Sequence, residues 1–114
     1  MNHLMIHRFD LFAATVSQDE VGSAEYSYPS VATVRSVPCH VQPAVSTVIE
    51  DYSRRELRVS GSIFTTDSTI YERITVNDRI RAKGINYLVR GKFDFESPMT
   101  RKTVFRIDVE EELE

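Results

Sequence analysis

The sequence predicts a mainly β protein: a small antiparallel β-barrel or sandwich of about six or seven short strands, with one short helix inside a long loop. Three observations predict it. Apolar and polar residues alternate with period two, most cleanly over 85–95 and 102–109. Turn-forming residues separate the alternating segments. The chain's 114 residues suit one domain, residues 1–114, since single domains cluster near ~100–150 residues.

Taken in order, residues 4–14 are mostly apolar, and Phe9, Leu11 and Ala13 share a face of a strand. Residues 17–23 form a turn-rich break. Residues 31–42 read as extended, with Val37, Cys39 and Val41 in register; Pro38 makes this an edge strand or a bulge, because proline cannot donate to a ladder. Thr47-Val48-Ile49-Glu50 has the form of a capping box. Glu50/Arg54 and Asp51/Arg55 follow at i,i+4, so 47–54 reads as a short helix in a connection, 43–55, expected to lie free of the barrel. In 56–65, Leu57, Val59, Ile63 and Thr65 share a face, and Gly61 marks a bulge or a close backbone approach. Residues 69–75 are expected to add a short strand. In 78–83, Ile80 and Ala82 face in while Arg79, Arg81 and Lys83 face out, and Lys83-Gly84 supplies a tight hairpin turn. The next strand places Ile85, Tyr87, Val89, Phe93 and Phe95 inward, and Asn86, Arg90, Lys92 and Asp94 outward. A loop over 96–100 contains Pro98. The last strand points Thr103, Phe105, Ile107 and Val109 in, and Lys102, Arg106 and Asp108 out.

Composition narrows the function. Hydrophobic residues at 41% and charged residues at 27% are those of a globular chain, not a disordered one. No apolar run approaches the ~20 residues that span a bilayer. The opening Met1–Arg8 lacks a basic segment followed by a long apolar one, so no secretory signal is expected. Cys39 is the sole cysteine, which excludes an intrachain disulfide framework and points to a reducing compartment. The net charge of −3 argues against a dedicated DNA-binding protein. The charge is unevenly spread: Arg73, Arg79, Arg81, Lys83, Arg90 and Lys92 face a single intervening acid, Asp78, whereas 108–114 holds acids and no base.

Sites for chemistry are sparse. His3 and His7 share a strand face but stand ~13 Å apart, too far for one metal. Cys39 and His40 point to opposite sides of a strand, so they make a poor nucleophile–base pair; the simpler reading is a buried thiol beside an exposed imidazole. Walker, GxGxxG, HExxH and GxSxG motifs do not occur. The paired carboxylates Asp19/Glu20, Glu50/Asp51 and Glu110/Glu111/Glu112 read as solvated surface. The expectation is therefore a protein that is not an enzyme, with no catalytic residues, cofactor or metal. Arg79, Arg81 and Lys83 line one strand face and Arg90 and Lys92 line its hairpin partner, a positive stripe of about 10–15 Å. With Tyr87, Phe93 and Phe95 on the opposite face, that stripe lacks the aromatics for base stacking and suits phosphate or protein contact.

In order and spacing, the chain resembles the head–tail joining proteins of tailed bacteriophages, also called head-closure, stopper or head–tail adaptor proteins. The resemblance runs over roughly residues 4–112. Leu4-Met5-Ile6-His7-Arg8 is similar to the opening strand, Asp19-Glu20-Val21-Gly22 to a D-x-x-G turn, and Val37-Pro38-Cys39-His40-Val41-Gln42-Pro43 to a strand ending in V-x-P. Asp78-Arg79-Ile80 followed by Gly84-Ile85-Asn86-Tyr87-Leu88-Val89-Arg90-Gly91 resembles a D-R-[IV] … G-x-x-Y-x-V-x-G block, and Val104–Glu110 a closing strand. The charged, partly helical stretch from Pro43 to Leu57 departs from the Gly- and Ser-containing connection of that family.

The resemblance implies a small β-barrel that assembles as a homo-oligomeric ring of about six or about twelve copies. It implies a structural virion protein of the neck, made in the host cytoplasm. Its partners would be a portal or adaptor protein on the head side, a tail or tail-terminator protein on the tail side, and packaged DNA in the lumen without sequence specificity. No membrane and no cofactor are implied. Geometry alone selects residues for these roles: Arg79, Arg81, Arg90, Lys92, Asp108, Glu110 and Glu112 for subunit contacts, the acids meeting the bases of a neighbouring copy, and Glu50, Asp51, Arg54 and Arg55 for docking or the lumen. The alternatives are a tail-completion or tail-terminator subunit, and a non-viral β-barrel binding module.

Overall fold

The computed structural model describes residues 6–18, 22, 24–55, 57–96 and 103–112. Six strands close an antiparallel barrel: β1 (His7–Phe12), β4 (Val34–Pro43), β5 (Gly61–Thr65), β8 (Thr103–Glu111), β7 (Ile85–Glu96) and β6 (Arg79–Ala82), neighbours in that order, with β6 returning to β1. Among the described residues the remaining strands, β2 (Thr15–Gln18) and β3 (Ala24–Ser27), pair only with each other. The described residues also form two short helices, α1 (Ser46–Ser53) and α2 (Ser68–Arg73). The sequence expectation of a small antiparallel barrel holds, with a second helix added.

Alternation builds the interior. Phe9 and Leu11 from β1, Val37 and Cys39 from β4, Ile63 from β5, Ile80 and Ala82 from β6, Tyr87 and Val89 from β7, and Ile107 and Val109 from β8 form one buried cluster. Lys83 and Gly84, with φ of 55° and 75°, close the β6–β7 hairpin in the doubly positive turn that matches strand twist. Pro38 lies inside a closed barrel rather than on an edge. It is tolerated because β4 begins pairing with β5 only at His40, while an irregularity in β4, with Ser36 at φ 54°, shifts the register against β1.

Several expectations change. Residues 69–75 are not a strand: Asp67 caps α2 by accepting the Ile70 amide at 3.1 Å, and Ile70 on the helix and Ile74 at its C-cap are both buried in the barrel's core cluster. The capping box does not form either. The N-cap of α1 is Val45, without a side-chain bond, and Thr47 lies exposed inside the helix. Leu57 and Val59 do not enter the barrel with Ile63 and Thr65; they pack with Val48, Tyr52 and Ala44 in a second cluster under α1. Thr103 is exposed.

The largest change is a bulge in β7. Val89 faces Val109 and Gly91 faces Asp108, so Arg90 is an extra residue, and beyond it the strand's faces exchange. Lys92 therefore sits opposite Ile107, where its Nζ donates to the Tyr71 carbonyl at 3.0 Å and lies 4.4 Å from the Tyr71 ring. Phe93, expected inside, is opposite Arg106 on the outer face and 50% exposed, with the guanidinium carbon 5.0 Å from its ring. The Phe95 side chain, His3, the turn over 19–21, and the loop over 97–102 lie outside the described residues.

Candidate assembly surfaces

The acidic tail and the basic hairpin meet within one chain. Arg90 makes a forked contact with Glu110, Nη2 at 2.6 Å and Nε at 3.1 Å, and its Nη1 donates to Asn77 Oδ1 at 3.2 Å. Arg79 reaches Glu112 at 3.0–3.1 Å, and its guanidinium lies 4.2 Å from the ring of Tyr28. Antiparallel pairing of β7 with β8 brings the tail back beside the hairpin, so charges remote in sequence become neighbours. The complementarity expected between copies is thus used inside one copy by these two pairs. Half-buried and forked, the Arg90–Glu110 pair is worth about 1 kcal/mol. Arg90→Glu is expected to cost that much or more in a urea melt, and adding Glu110→Arg should return most of the loss; equal melts for the single and double variants would deny the pair.

Asp108 requires a correction. It points to the outer face, as expected, but is 0% exposed and so is closed to a neighbouring subunit. Helix α1 covers it. Tyr52 Oη donates to Asp108 Oδ2 at 2.6 Å, Ser62 Oγ to Oδ1 at 3.1 Å, and Arg106 Nε stands 3.0 Å from Oδ1. Burial first, and then the bond to Asp108, push the Tyr52 hydroxyl up to about 12, so it stays a donor. Tyr52 reaches Asp108 by crossing directly above Gly91, where any Cβ would overlap its ring. The connection over 43–55 is therefore latched to the barrel rather than free. Of its chosen residues, Glu50 and Asp51 are exposed on α1 and Arg54 and Arg55 are exposed just past its end, with Asp51 and Arg55 paired at 3.0 Å.

Sequence reading missed the projecting arm made by β2 and β3. Val16 faces Tyr26 across it, 57% and 44% exposed, and every residue of β2 is exposed. Among the described residues neither strand joins the barrel sheet, so both outer edges are open there. Both ends of the arm are tied to one turn: the Ala14 amide donates to Asp78 Oδ1 at 2.9 Å, and Tyr28 Oη donates to the Asn77 carbonyl at 2.7 Å. The signal was slight: Thr15–Gln18 has Val16 as its one apolar residue, and Ala24-Glu25-Tyr26-Ser27 alternates over four residues, too few to stand out from the break.

A basic face lies on the outside of β1 and β6. Arg8 and Arg81 point outward there, with Lys83 at the adjoining turn and Arg35 next to the β4 irregularity. Arg8 leans on the Ser36 carbonyl at 3.4 Å and Arg81 on Asn86 Oδ1 at 3.0 Å; among the described residues none of these four pairs with a carboxylate. Asp10 lies among them and accepts the Ser36 amide at 2.9 Å. Ile6, directly before β1, is 69% exposed.

Cys39 is 0% exposed, and burial pushes its thiol up to about 12, against a small opposing pull from Arg8. Native protein at pH 8 should react with iodoacetamide about a thousandfold more slowly than unfolded protein; equal rates would contradict the burial. His40 is half-buried rather than exposed and stacks on His7 at 5.6 Å. His7 Nδ1 accepts the Val41 amide at 3.1 Å, and desolvation, then Lys83, then His40 lower its basicity. The unfolded chain therefore binds this proton more readily. His7's contribution is complete above pH ~6.5 and is lost as pH falls through the lowered value. Urea melts should show stability dropping below pH ~6.5, less so in His7→Gln; a flat profile in the wild type would contradict this.

Among the described residues, no group of three or more His, Cys, Asp or Glu could hold a metal ion, and no helix is long and apolar enough to cross a membrane. A comparison of the chain with protein-family models gives no match, and neither does a search of curated proteins.

Proposed function

We propose that the chain is a head–tail joining protein of a tailed bacteriophage, a ring-forming component of the neck that closes the DNA-filled head and presents the surface to which the tail attaches. The observation that carries the reading is a closed barrel bearing an open-edged arm rooted at Asp78, within the D-R-[IV] block on which the family resemblance rests. A closed barrel gives a rigid body with no sheet edge of its own to aggregate. The arm supplies unsatisfied backbone and apolar side chains at one defined place, which is what a subunit needs to meet another. Helix α1, held down by Tyr52, offers Glu50, Asp51, Arg54 and Arg55 as a second surface for a ring above or below. Of the subunit-contact residues, Arg81 remains the exposed base on the barrel wall, and the others serve the barrel itself as described.

Gold-labelled antibody against the protein, imaged on phage particles from the source culture, tests the reading. Label at the capsid–tail junction supports it. Label along the tail tube favours a tail-completion or tail-terminator subunit, and absence of label from intact and disrupted particles rejects a virion role.

A further inference from the structure

We infer that the β2–β3 arm of one copy docks on the basic outer face of β1 and β6 of a second copy, which deepens the ring reading above and rests on it. The arm needs a cover. Isolated two-stranded hairpins are marginal in water, yet this one leaves Val16 and Tyr26 exposed side by side and, among the described residues, both edges open. Its occupant follows from charge. Between Phe9 and Val34 the sequence contains no Lys or Arg, and the described part of the arm carries the acid Glu25. An acidic arm repels nucleic acid and acidic surfaces and seeks a basic one. This chain has such a face in Arg8, Arg35, Arg81 and Lys83, with Ile6 as an exposed apolar neighbour. The other basic groups examined for ring contact, Arg79, Arg90 and Lys92, are already engaged within the chain. Arm and face are different surfaces of one subunit, so the contact is head-to-tail, the kind that closes a ring when the rotation allows.

Sedimentation velocity of the purified full chain over a concentration series, at low and high salt, reads the contact. The wild type should self-associate, and more weakly as salt rises. Glu25→Lys and Lys83→Glu should each weaken association roughly fivefold, the Glu25→Lys/Lys83→Glu double variant should recover it, and Tyr26→Ala should weaken it by about tenfold or more. Unchanged thermal melts establish that the variants fold. A wild type that stays monomeric to ~1 mM, association indifferent to these changes, or a double variant no better than the singles overturns the proposal. So does loss of salt-dependent DNA binding in Lys83→Glu with association intact, which would assign the face to phosphate. Any of these with gold label still at the neck sinks the docking alone and leaves the neck reading standing.

Discussion

Gly91→Ala is expected to lift α1 from the barrel at a cost of about 2–4 kcal/mol. An added Cβ would overlap Tyr52 Oη and lie 2.9 Å from its Cζ, well inside contact distance. The phenol would have to swing away, breaking its bond to the fully buried Asp108 and loosening the cluster that Val48 and Tyr52 of the helix form with Val59. Removing the hydroxyl alone does not relieve the clash, because the ring carbons also collide. Truncating Tyr52 does. The diagnostic is therefore a double-mutant cycle by urea denaturation: Tyr52→Ala should cost at least about 1 kcal/mol less in the Gly91→Ala background than in the wild type. Additive costs would show that the two residues do not meet.

Asp78→Ala should cost a further large amount, about 3 kcal/mol. The carboxylate is 1% exposed and accepts the Ala14 amide through one oxygen and the Thr75 amide through the other, both at 2.9 Å. Its own carbonyl accepts from Val89. Alanine leaves two part-buried amides without their acceptor. Because Ala14 leads directly into β2, the effect should reach the arm. Amide exchange at Ala14 should accelerate in Asp78→Ala far more than exchange at Val109 in the opposite wall. A loss below about 1 kcal/mol, or uniform acceleration, would contradict this anchoring role.

These two residues also show what the sequence could reveal. Asp78 and Gly91 bracket the block that carries the family resemblance, and both turn out to have local structural duties: one pins the root of the arm, the other clears a path for Tyr52. The barrel was legible because period-two alternation survives in β1, β4, β6 and β8, where strand and interior agree. The inward face of β7 was legible only as far as Val89. One extra residue at Arg90 exchanges the faces, and Gly91 hints at a bulge without fixing where the register slips. Helix α2 was misread because Ile70, Tyr71 and Ile74 are β-formers; the deciding features were the Asp67 cap and the four-residue spacing of the isoleucines. Asp108 was legible as outward-facing but not as buried, since only the folded chain brings α1 across β8. The cis pairing of Arg79 and Arg90 with the tail was hidden for the same reason: it depends on the β7–β8 register.

The central claim, that this barrel joins heads to tails, is tested most directly by removing it. On the proposed reading, phage lysates made with a nonsense mutation in this chain should contain capsids and finished tails side by side but unjoined. Adding the purified chain should restore joined, infectious particles in proportion to the amount added. Normally tailed, infectious particles formed without the chain would contradict the account.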